Sequence, residues 1–484
     1  MGEKEQRIKK FEQIQESGIN CYPAESNRSH TCAQATELFD ELTDREISLA
    51  GRLVLFRSHG KASFGHLEDG SGRFQIFLRQ DDLGEEQYKF FIKNIDLGDF
   101  LEFKGKVFKT QKNEKTLRVF SWKILTKSIL PLPEKWHGLV DLEVRFRQRY
   151  LDLLANKETK EIFYKRSQIV KLIREFFNQR DFMEVETPIL QPLSGGAAAR
   201  PFITHHQALD MDLYLRIAPE LYLKRLIVGG FEKVYEIARC FRNEGIDWAH
   251  NPEFTQIEFY QAYADYHDLM KLTEDLMEKL VKEINGSLKL RYQENEIDFT
   301  PPYQQMDYRQ ALLDYTGVDL DNEDTESLRE KAEKMKIKTE ISWGKGKIID
   351  EIYKETVRPK IIHPTFLINH PIELSPLAKQ IFNRPNYVER FQLLVSGLEV
   401  CNAFSELNNP FEQEKRFKEQ QNLLEKGDQE AQPFDQDFID ALKQGMPPTA
   451  GEGIGIDRLT TILTDKKNIK EVILFPTLKP KVEK

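Results

Sequence analysis

Residues 216–266 read RIAPELYLKRLIVGGFEKVYEIARCFRNEGIDWAHNPEFTQIEFYQAYADY. Two alternating runs lie within this stretch, and alternation sends every second side chain to one face of a strand. In the first run Val234, Glu236, Ala238, Cys240, Arg242 and Glu244 share a face. In the second, Phe254, Glu258 and Tyr260 do. Between them the segment 245–252, GIDWAHNP, carries a glycine and an Asn-Pro step that mark a loop. If the two faces coincide, one sheet surface gathers an arginine, three carboxylates, a phenol and an aromatic ring. Burying such a surface in a core is costly, whereas a charged ligand would use it. Alternation alone leaves a plainer reading open: a surface hairpin with ordinary salt bridges.

The whole chain bounds the answer. Its 484 residues exceed one ordinary core and predict two domains, with room for an inserted subdomain. A composition of 40% hydrophobic and 31% charged residues without a low-complexity tract is that of a globular protein. The net charge of −9 argues mildly against nucleic-acid binding, although a local basic face on an acidic protein suffices for it. Cys21, Cys32, Cys240 and Cys401 are scattered without a C-x-x-C pair, which predicts reduced thiols and neither a disulfide frame nor a zinc site. The N-terminal MGEKEQRIKKFEQIQESG lacks an apolar h-region, and no run reaches membrane-spanning length. A cytoplasmic protein with no membrane partner is expected.

After a charged N-terminal helix over residues 1 to about 20, five short strands are predicted at 47–57, 62–68, 73–79, 100–106 and 116–125. A helical stretch at 85–95 interrupts after the third strand. Five strands with one helix after the third is the pattern of an OB-fold barrel, a common nucleic-acid platform. Another small barrel without a nucleic-acid role fits the same pattern. Pro131-Leu132-Pro133 and the His137-Gly138 step mark a linker, so the domains are expected at 1–135 and 136–484. In the second, Lys157 to Arg180 fits a long amphipathic helix carrying Ile162, Ile169, Val170, Leu172, Ile173 and Phe176. The run DFMEVETP then turns to strand and stops at Pro188. Residues 263 to about 385 are expected to be a mainly helical, highly charged insertion.

A second hairpin is predicted at 389–395 and 398–404, turning at Ser396-Gly397. A two-residue turn sets Leu394 opposite Glu399 and Gln392 opposite Cys401, making Gln392 and Glu399 diagonal neighbours on one face. Asn402, Phe404 and Glu406 share a face further along. The segment 451–459, GEGIGIDRL, is glycine-rich but follows neither the Rossmann nor the P-loop spacing. The loop 194–202, SGGAAARPF, is rich in small residues, which suits close backbone approach to a ligand and equally a hinge.

FRNEG followed by HNPEF, the helix–strand–Pro188 element and GEGIGIDRL resemble, in order, motifs 2, 1 and 3 of class II aminoacyl-tRNA synthetases. The wording RIAPELYLKRLIVGGFE with AYADY is similar to the lysyl-tRNA synthetase family. The resemblance runs from about residue 45 to the C-terminus. It implies an α+β fold, a class II antiparallel sheet flanked by helices, behind an all-β OB-fold anticodon-binding domain. It also implies a homodimer joined through motif 1, with ATP, L-lysine and lysine tRNA as substrates and Mg²⁺ as cofactor.

Residue by residue, the resemblance assigns Arg242 to catalysis and to ATP, with Glu244 on the adenine amino group, His250 on the outer phosphates, and Asn251, Phe254, Glu399 and Arg458 completing the ATP site. An arginine suits this chemistry, since a planar guanidinium braces both a phosphate and the attacking carboxylate, which needs no general base. Lysine would be held by Gly196 and Glu220 at the α-ammonium and Asn402 at the carboxylate, with Glu258, Tyr260, Phe404 and Glu406 around the side chain. A buried ammonium demands an acid, whereas an aspartate or asparagine pocket would demand a cation near that end. For the metal, Glu399 is the first candidate, followed by Gln392 and Glu406. The family's usual glutamate is replaced by Gln392, whose amide oxygen still suits Mg²⁺ but with one charge fewer. Ala249 and Glu452 also depart from the family pattern, and are expected to modulate ATP or acceptor-end contacts. On the barrel, Phe64, Gln75 and Arg57 are the candidate anticodon contacts, by stacking, edge reading and phosphate or base contact. Two rival readings are a relative that has lost catalysis, which Arg242, Glu399 and Arg458 oppose, and a lysine ligase acting on a protein, which the barrel opposes.

Overall fold

The computed structural model describes residues 2–133, 139–341, 343–427 and 430–480. The chain divides into two compact units, Met1–Val140 and Asp141–Lys484. The predicted His137-Gly138 step, and the boundary expected between 135 and 136, lie outside the described residues. Among those residues no helix is long and apolar enough to cross a membrane.

In the first unit β1 (Glu46–His59), β2 (Ala62–Glu68), β3 (Arg73–Arg79), β4 (Phe100–Lys109) and β5 (Lys115–Thr126) close into a barrel in the order β1-β2-β3-β5-β4. Alternation fills it: Leu49, Leu67, Ile76, Leu78, Leu101, Phe103, Leu117 and Val119 point inward and are buried. Helix Glu85–Asn94 lies between β3 and β4 as the pattern predicts, and buries Tyr88 and Phe91. Gly105 stands opposite a bulge in β5, where the Arg118 carbonyl occupies the place a Cβ would take. The N-terminal helix spans Glu3–Glu16, shorter than expected. Beyond the barrel, Lys127 Nζ bridges Asp96 and Asp99 at 2.6 and 2.7 Å, while Lys10 reaches Asp96 from the N-terminal helix.

The second unit is built on one sheet of nine strands. Its order is Gln304–Asp307, Thr365–Pro371, Arg384–Val395, Leu398–Ser405, Thr449–Gly455, Glu253–Ala262, Lys233–Phe241 and Met183–Glu184, with Gln380–Ile381 beside Arg384–Val395. The central pairings are antiparallel, as expected, but the two edge pairings are parallel. Both edges are reached by long crossovers, which parallel neighbours require. The stretch 263–385, expected to be mainly helical, carries both helices and strands. Helices Tyr266–Asn285, Tyr308–Thr316, Thr325–Lys334 and Lys345–Thr356 lie there, but strands Gln304–Asp307 and Thr365–Pro371 join the central sheet. Their partners are distant in sequence, so local charge density does not reveal them.

One sheet face packs on helices Lys157–Asn178, Tyr266–Asn285 and Ile456–Leu463. The first buries Ile162, Ile169, Leu172, Ile173, Phe176 and Phe177, each worth roughly 1.5–3 kcal/mol of transfer free energy as an upper estimate. Asp265 caps the second by accepting from the His267 and Asp268 amides, and Gly286 ends it in the left-handed region. Helices Glu220–Val228, Pro410–Glu425 and Gln436–Gln444 cover part of the opposite face, clustering Leu221, Leu223, Phe417, Phe438 and Leu442 with Tyr260. The charged residues collect between that cover and the sheet.

Candidate active site

The first hairpin pairs Glu236 with Glu258, Cys240 with Phe254 and Val234 with Tyr260. The two predicted faces therefore coincide. The first strand stops at Phe241, so Arg242 and Glu244 lie beyond it. Arg242 is held by its amide on the Pro252 carbonyl at 2.8 Å, and its guanidinium lies 5.0 Å from the Phe254 ring centre. Its Nε is buried without a hydrogen-bond partner, a donor left for a ligand. Glu244 is exposed in the loop, and the Asn251 amide donates to the Glu253 carbonyl at 2.6 Å. His250 bridges two segments: Arg458 Nη2 lies 3.0 Å from its Nε2, and Asp247 Oδ2 2.8 Å from its Nδ1. A guanidinium only donates, so Nε2 accepts and Nδ1 carries the proton toward Asp247. Arg458 also donates to the Glu399 carbonyl at 3.1 Å, linking the loop to the second hairpin.

On the same face lies a pocket of acids. Tyr260 donates to Glu258 Oε1 at 2.6 Å and Gln256 to Oε2 at 2.8 Å, and both acid and phenol are buried. Burial first, then the nearby Glu220 charge, pushes the Glu258 carboxyl up to about 8. Glu406 is buried as well, and neither of its oxygens has an aligned hydrogen-bond donor. Its nearest cation, Lys224 Nζ, stands 2.5 Å from Oε2 as an ion pair. Glu220, at the start of helix Glu220–Val228, receives Lys224 Nζ on Oε1 at 2.5 Å. Gly196 lies directly above it with φ of 88°, and a Cβ there would sit 2.9 Å from Glu220 Cβ. Gly451, opposite Tyr260, lets the Tyr260 ring and Glu406 pack directly on the strand, since a Cβ there would collide with the ring and lie 2.5 Å from Glu406 Oε1.

The second hairpin departs from the predicted register. Leu394 does face Glu399, but Gln392 faces Asn402 rather than Cys401, because a bulge adds one residue to the later strand. Val400 and Cys401 are both buried beside the core, while Glu399, Asn402 and Phe404 are half-buried. Gln392 still reaches Glu399, its amide donating to Oε2 at 2.9 Å. Asn402 Oδ1 accepts from Arg390 Nε at 2.7 Å, so its NH₂ is the side free to meet a carboxylate. Glu406 is not part of a metal group with Glu399. Seven positions along an extended strand separate them by roughly 20 Å, and its charge is met by Lys224. Among the described residues no three His, Cys, Asp or Glu side chains cluster to hold a metal ion.

Residues 141–479 match the family described as tRNA synthetases class II (D, K and N). The chain belongs to the class II tRNA synthetases. Within this family its relatives include the lysine–tRNA ligase of Carboxydothermus hydrogenoformans, 51% identical over 98% of this chain and 97% of the relative. That of Moorella thermoacetica is 49% identical over 99% and 98%, and that of Syntrophomonas wolfei 48% over 99% and 97%. Residues 47–125 of this synthetase match an OB-fold nucleic acid binding domain.

On that barrel Arg57, Phe64 and Phe77 lie opposite one another across β1, β2 and β3. The Phe64 and Phe77 rings pack against each other at a tilt of 30° with centroids 4.5 Å apart, and Phe108 adjoins Phe77 at 5.9 Å. Phe64 is half-buried on the outer side and Arg57 is exposed. Gln75 accepts from Thr116 at 2.6 Å and donates to Glu114 at 3.0 Å. Phe77 and Phe108 are absent from the sequence reading of this synthetase, although the alternation of RFQIFLR carries the signal for Phe77.

Two departures from the class II pattern do not sit where they were expected to act. Glu452 faces away from the pocket, because alternation gives that side to Gly451 and Gly453. It accepts from Thr273 Oγ1 at 2.8 Å, beneath the sheet. Ala249 is buried within the core cluster, its amide donating to Asp247 at 2.7 Å. Neither side chain lies on the face that carries Glu258 and Tyr260. Sequence reasoning also missed Lys224, which meets Glu220 and Glu406, Arg390, which meets Asn402, and Asp247, which meets His250.

Proposed function

We propose that this class II synthetase is a lysine–tRNA ligase. The lysine carboxylate attacks the α-phosphorus of ATP, pyrophosphate leaves, and lysyl-adenylate forms. A terminal ribose hydroxyl of lysine tRNA then attacks the carbonyl, taking the lysyl group and releasing AMP. The observation that carries the reading is the burial of three acids, Glu220, Glu258 and Glu406, around the phenol of Tyr260, with Lys224 as the ammonium that meets two of them. Acids buried this deeply call for cationic ligands, and lysine brings two ammonium groups.

Lysine would lie with its side chain along Phe404 and Tyr260, its ε-ammonium at Glu406 and Glu258, and its α-ammonium at Glu220 below Gly196. The Asn402 amide, turned by Arg390, and the Arg242 guanidinium would meet its carboxylate. Arg242 would also meet the α-phosphate, where charge builds as the bond to the leaving group breaks. Phe254 offers adenine a stacking face beside Arg242, Glu244 a carboxylate for its amino group, and His250 with Arg458 the outer-phosphate contacts. Glu399 and Gln392, whose side chains touch, offer the two oxygens to a Mg²⁺ that accompanies ATP. That ion supplies charge neutralisation on the phosphates. Asn251 orders the loop through Glu253.

Phe64, Gln75 and Arg57 present stacking, edge and phosphate contacts for the anticodon of lysine tRNA. A homodimer is favoured by apolar side chains on and after helix Lys157–Asn178, where Tyr164, Met183, Ile189, Leu190 and Leu193 are exposed. The four buried, unpaired cysteines fit a reducing cytoplasm. The test is ATP–pyrophosphate exchange with each amino acid, followed by charging of lysine tRNA. Exchange with lysine alone is expected; exchange with aspartate or asparagine, or none, overturns the reading.

A further inference from the structure

Lys224 is the unassigned member of the acid pocket. It lies one turn after Glu220 on helix Glu220–Val228, and its side chain is 1% exposed. Its ammonium stands 2.5 Å from Glu220 Oε1 and 2.5 Å from Glu406 Oε2. The rings of Phe404, Tyr260 and Phe438 surround it at 5.2, 5.9 and 6.0 Å. A buried ammonium keeps its charge only where acids answer the loss of water, and here two do. Each acid gives one oxygen to Lys224 and keeps the other. Glu406 Oε1 lies against Gly451, and Glu220 lies beneath Gly196, so both acids are packed closely on backbone that carries no side chain.

The charges then match a specific ligand. The pocket holds three acids, Glu220, Glu258 and Glu406, and among the described residues one ammonium, Lys224, lies between two of them. A diamino acid brings the two ammonium groups that complete the set, while its carboxylate faces Arg242 and Asn402. Without Lys224, three buried acids would repel one another and spread apart.

We infer that Lys224 is a positioning residue, a built-in ammonium that bridges Glu220 and Glu406 and sets their spacing for the two ammonium groups of the amino-acid substrate. The inference rests on the lysine reading of the pocket. Lys224 acts through the two acids, and the pocket is arranged before the substrate enters, which lowers the reorganisation that binding requires.

ATP–pyrophosphate exchange by the full-length protein tests it, with K224M, K224R, E406Q and K224M/E406Q compared with wild type and each checked for folding by thermal melting. In K224M the KM for lysine is expected to rise by about tenfold or more, because one partner of a buried pair is gone. The KM for ATP and kcat should stay within about twofold, which separates lost binding from lost transition-state contacts. K224R, which keeps the charge, should recover most of the lysine affinity. In the E406Q background K224M should add less than about twofold, since coupled residues do not act additively. A folded K224M with an unchanged KM for lysine, an equal rise in the KM for ATP, or full additivity with E406Q overturns the inference. Should K224M fail to fold, the double variant against E406Q and K224R against wild type decide by the same criteria. Wild type that exchanges no lysine refutes the lysine reading itself, a different failure visible in the same assay.

Discussion

His250 accepts at Nε2 from Arg458 Nη2, 3.0 Å away, while Asp247 holds its Nδ1 at 2.8 Å. The loop between the strands of the first hairpin is thereby tied to the helix that starts at Ile456. Two segments about 200 positions apart in sequence meet at one imidazole, where the outer-phosphate contacts are proposed. Burial lowers the Arg458 pKa from its ordinary value, and the Glu399 carboxylate opposes the shift.

Replacing His250 by alanine removes the acceptor that orients Arg458. The KM for ATP in pyrophosphate exchange is expected to rise by about tenfold, the worth of one charge-assisted hydrogen bond. The KM for lysine should not change, since the acid pocket lies elsewhere on the sheet. A rise in both would mean that the loop, rather than the ATP contact, had been lost.

Gln392 donates to Glu399, so an ion entering this pair must turn the amide before it meets its oxygen. Q392E restores a second carboxylate. The Mg²⁺ concentration giving half-maximal exchange should fall by about three- to tenfold, because ligand charge tunes affinity for hard cations. Without Mg²⁺ and ATP the same variant should melt lower than wild type, two facing carboxylates having replaced a hydrogen bond. Identical Mg²⁺ curves would show that Glu399 alone governs the site.

Glu452 is buried with only Thr273 and Cys401 for company, and burial raises its carboxyl to about 8. The folded state then holds a proton that the unfolded chain releases near the ordinary carboxylate value. Stability contributed by the protonated form is full at low pH and declines as pH rises through the window up to about 8, by on the order of 3–5 kcal/mol. E452Q mimics the protonated acid, so its gain in melting temperature should be larger at pH 8.5 than at pH 5.5. Equal gains at the two values would mean that Glu452 does not titrate in the fold.

Gly451 lies opposite Tyr260, and its missing side chain lets the Tyr260 ring and Glu406 pack directly on the strand. In G451A the new methyl group meets the Tyr260 ring and stands 2.5 Å from Glu406 Oε1. Lysine-dependent exchange should fall by about a hundredfold or more, as overpacking of this kind costs roughly 1–3 kcal/mol and here also blocks an ion-pair site. ATP binding, measured by calorimetry, should persist. Loss of both would indicate a collapsed sheet.

Phe64 packs against Phe77 on the outer side of the barrel. F64A should weaken lysine tRNA charging through the KM for tRNA by about ten- to a hundredfold, the range for one base–aromatic stack. Lysine-dependent pyrophosphate exchange should stay at the wild-type level. A fall in exchange would tie Phe64 to folding instead of RNA.

Much of this was legible residue by residue. The shared faces of the first hairpin follow from period-2 alternation, and the observed pairing of Glu236 with Glu258 bears them out. The five barrel strands and the helix after the third were likewise written in local pattern and turn residues. The bulge at the second hairpin was not. Turn length predicts a continuous ladder, and nothing in LEVCNAF announces that Val400 and Cys401 will both turn to the core.

Local periodicity and chemical type thus determined that an arginine, several acids and a phenol would line one sheet surface. Tertiary structure alone decided which of those groups meet. Nothing in the local pattern of ELYLKRLIV marks Lys224, and it meets Glu220 and Glu406 only because its helix closes over the sheet. Glu452 looked like part of a glycine-rich ligand loop, yet the strand it belongs to turns it toward Thr273. A side chain's partners are set by packing between distant segments, and in a water-poor interior those partners fix its charge and hence its chemistry.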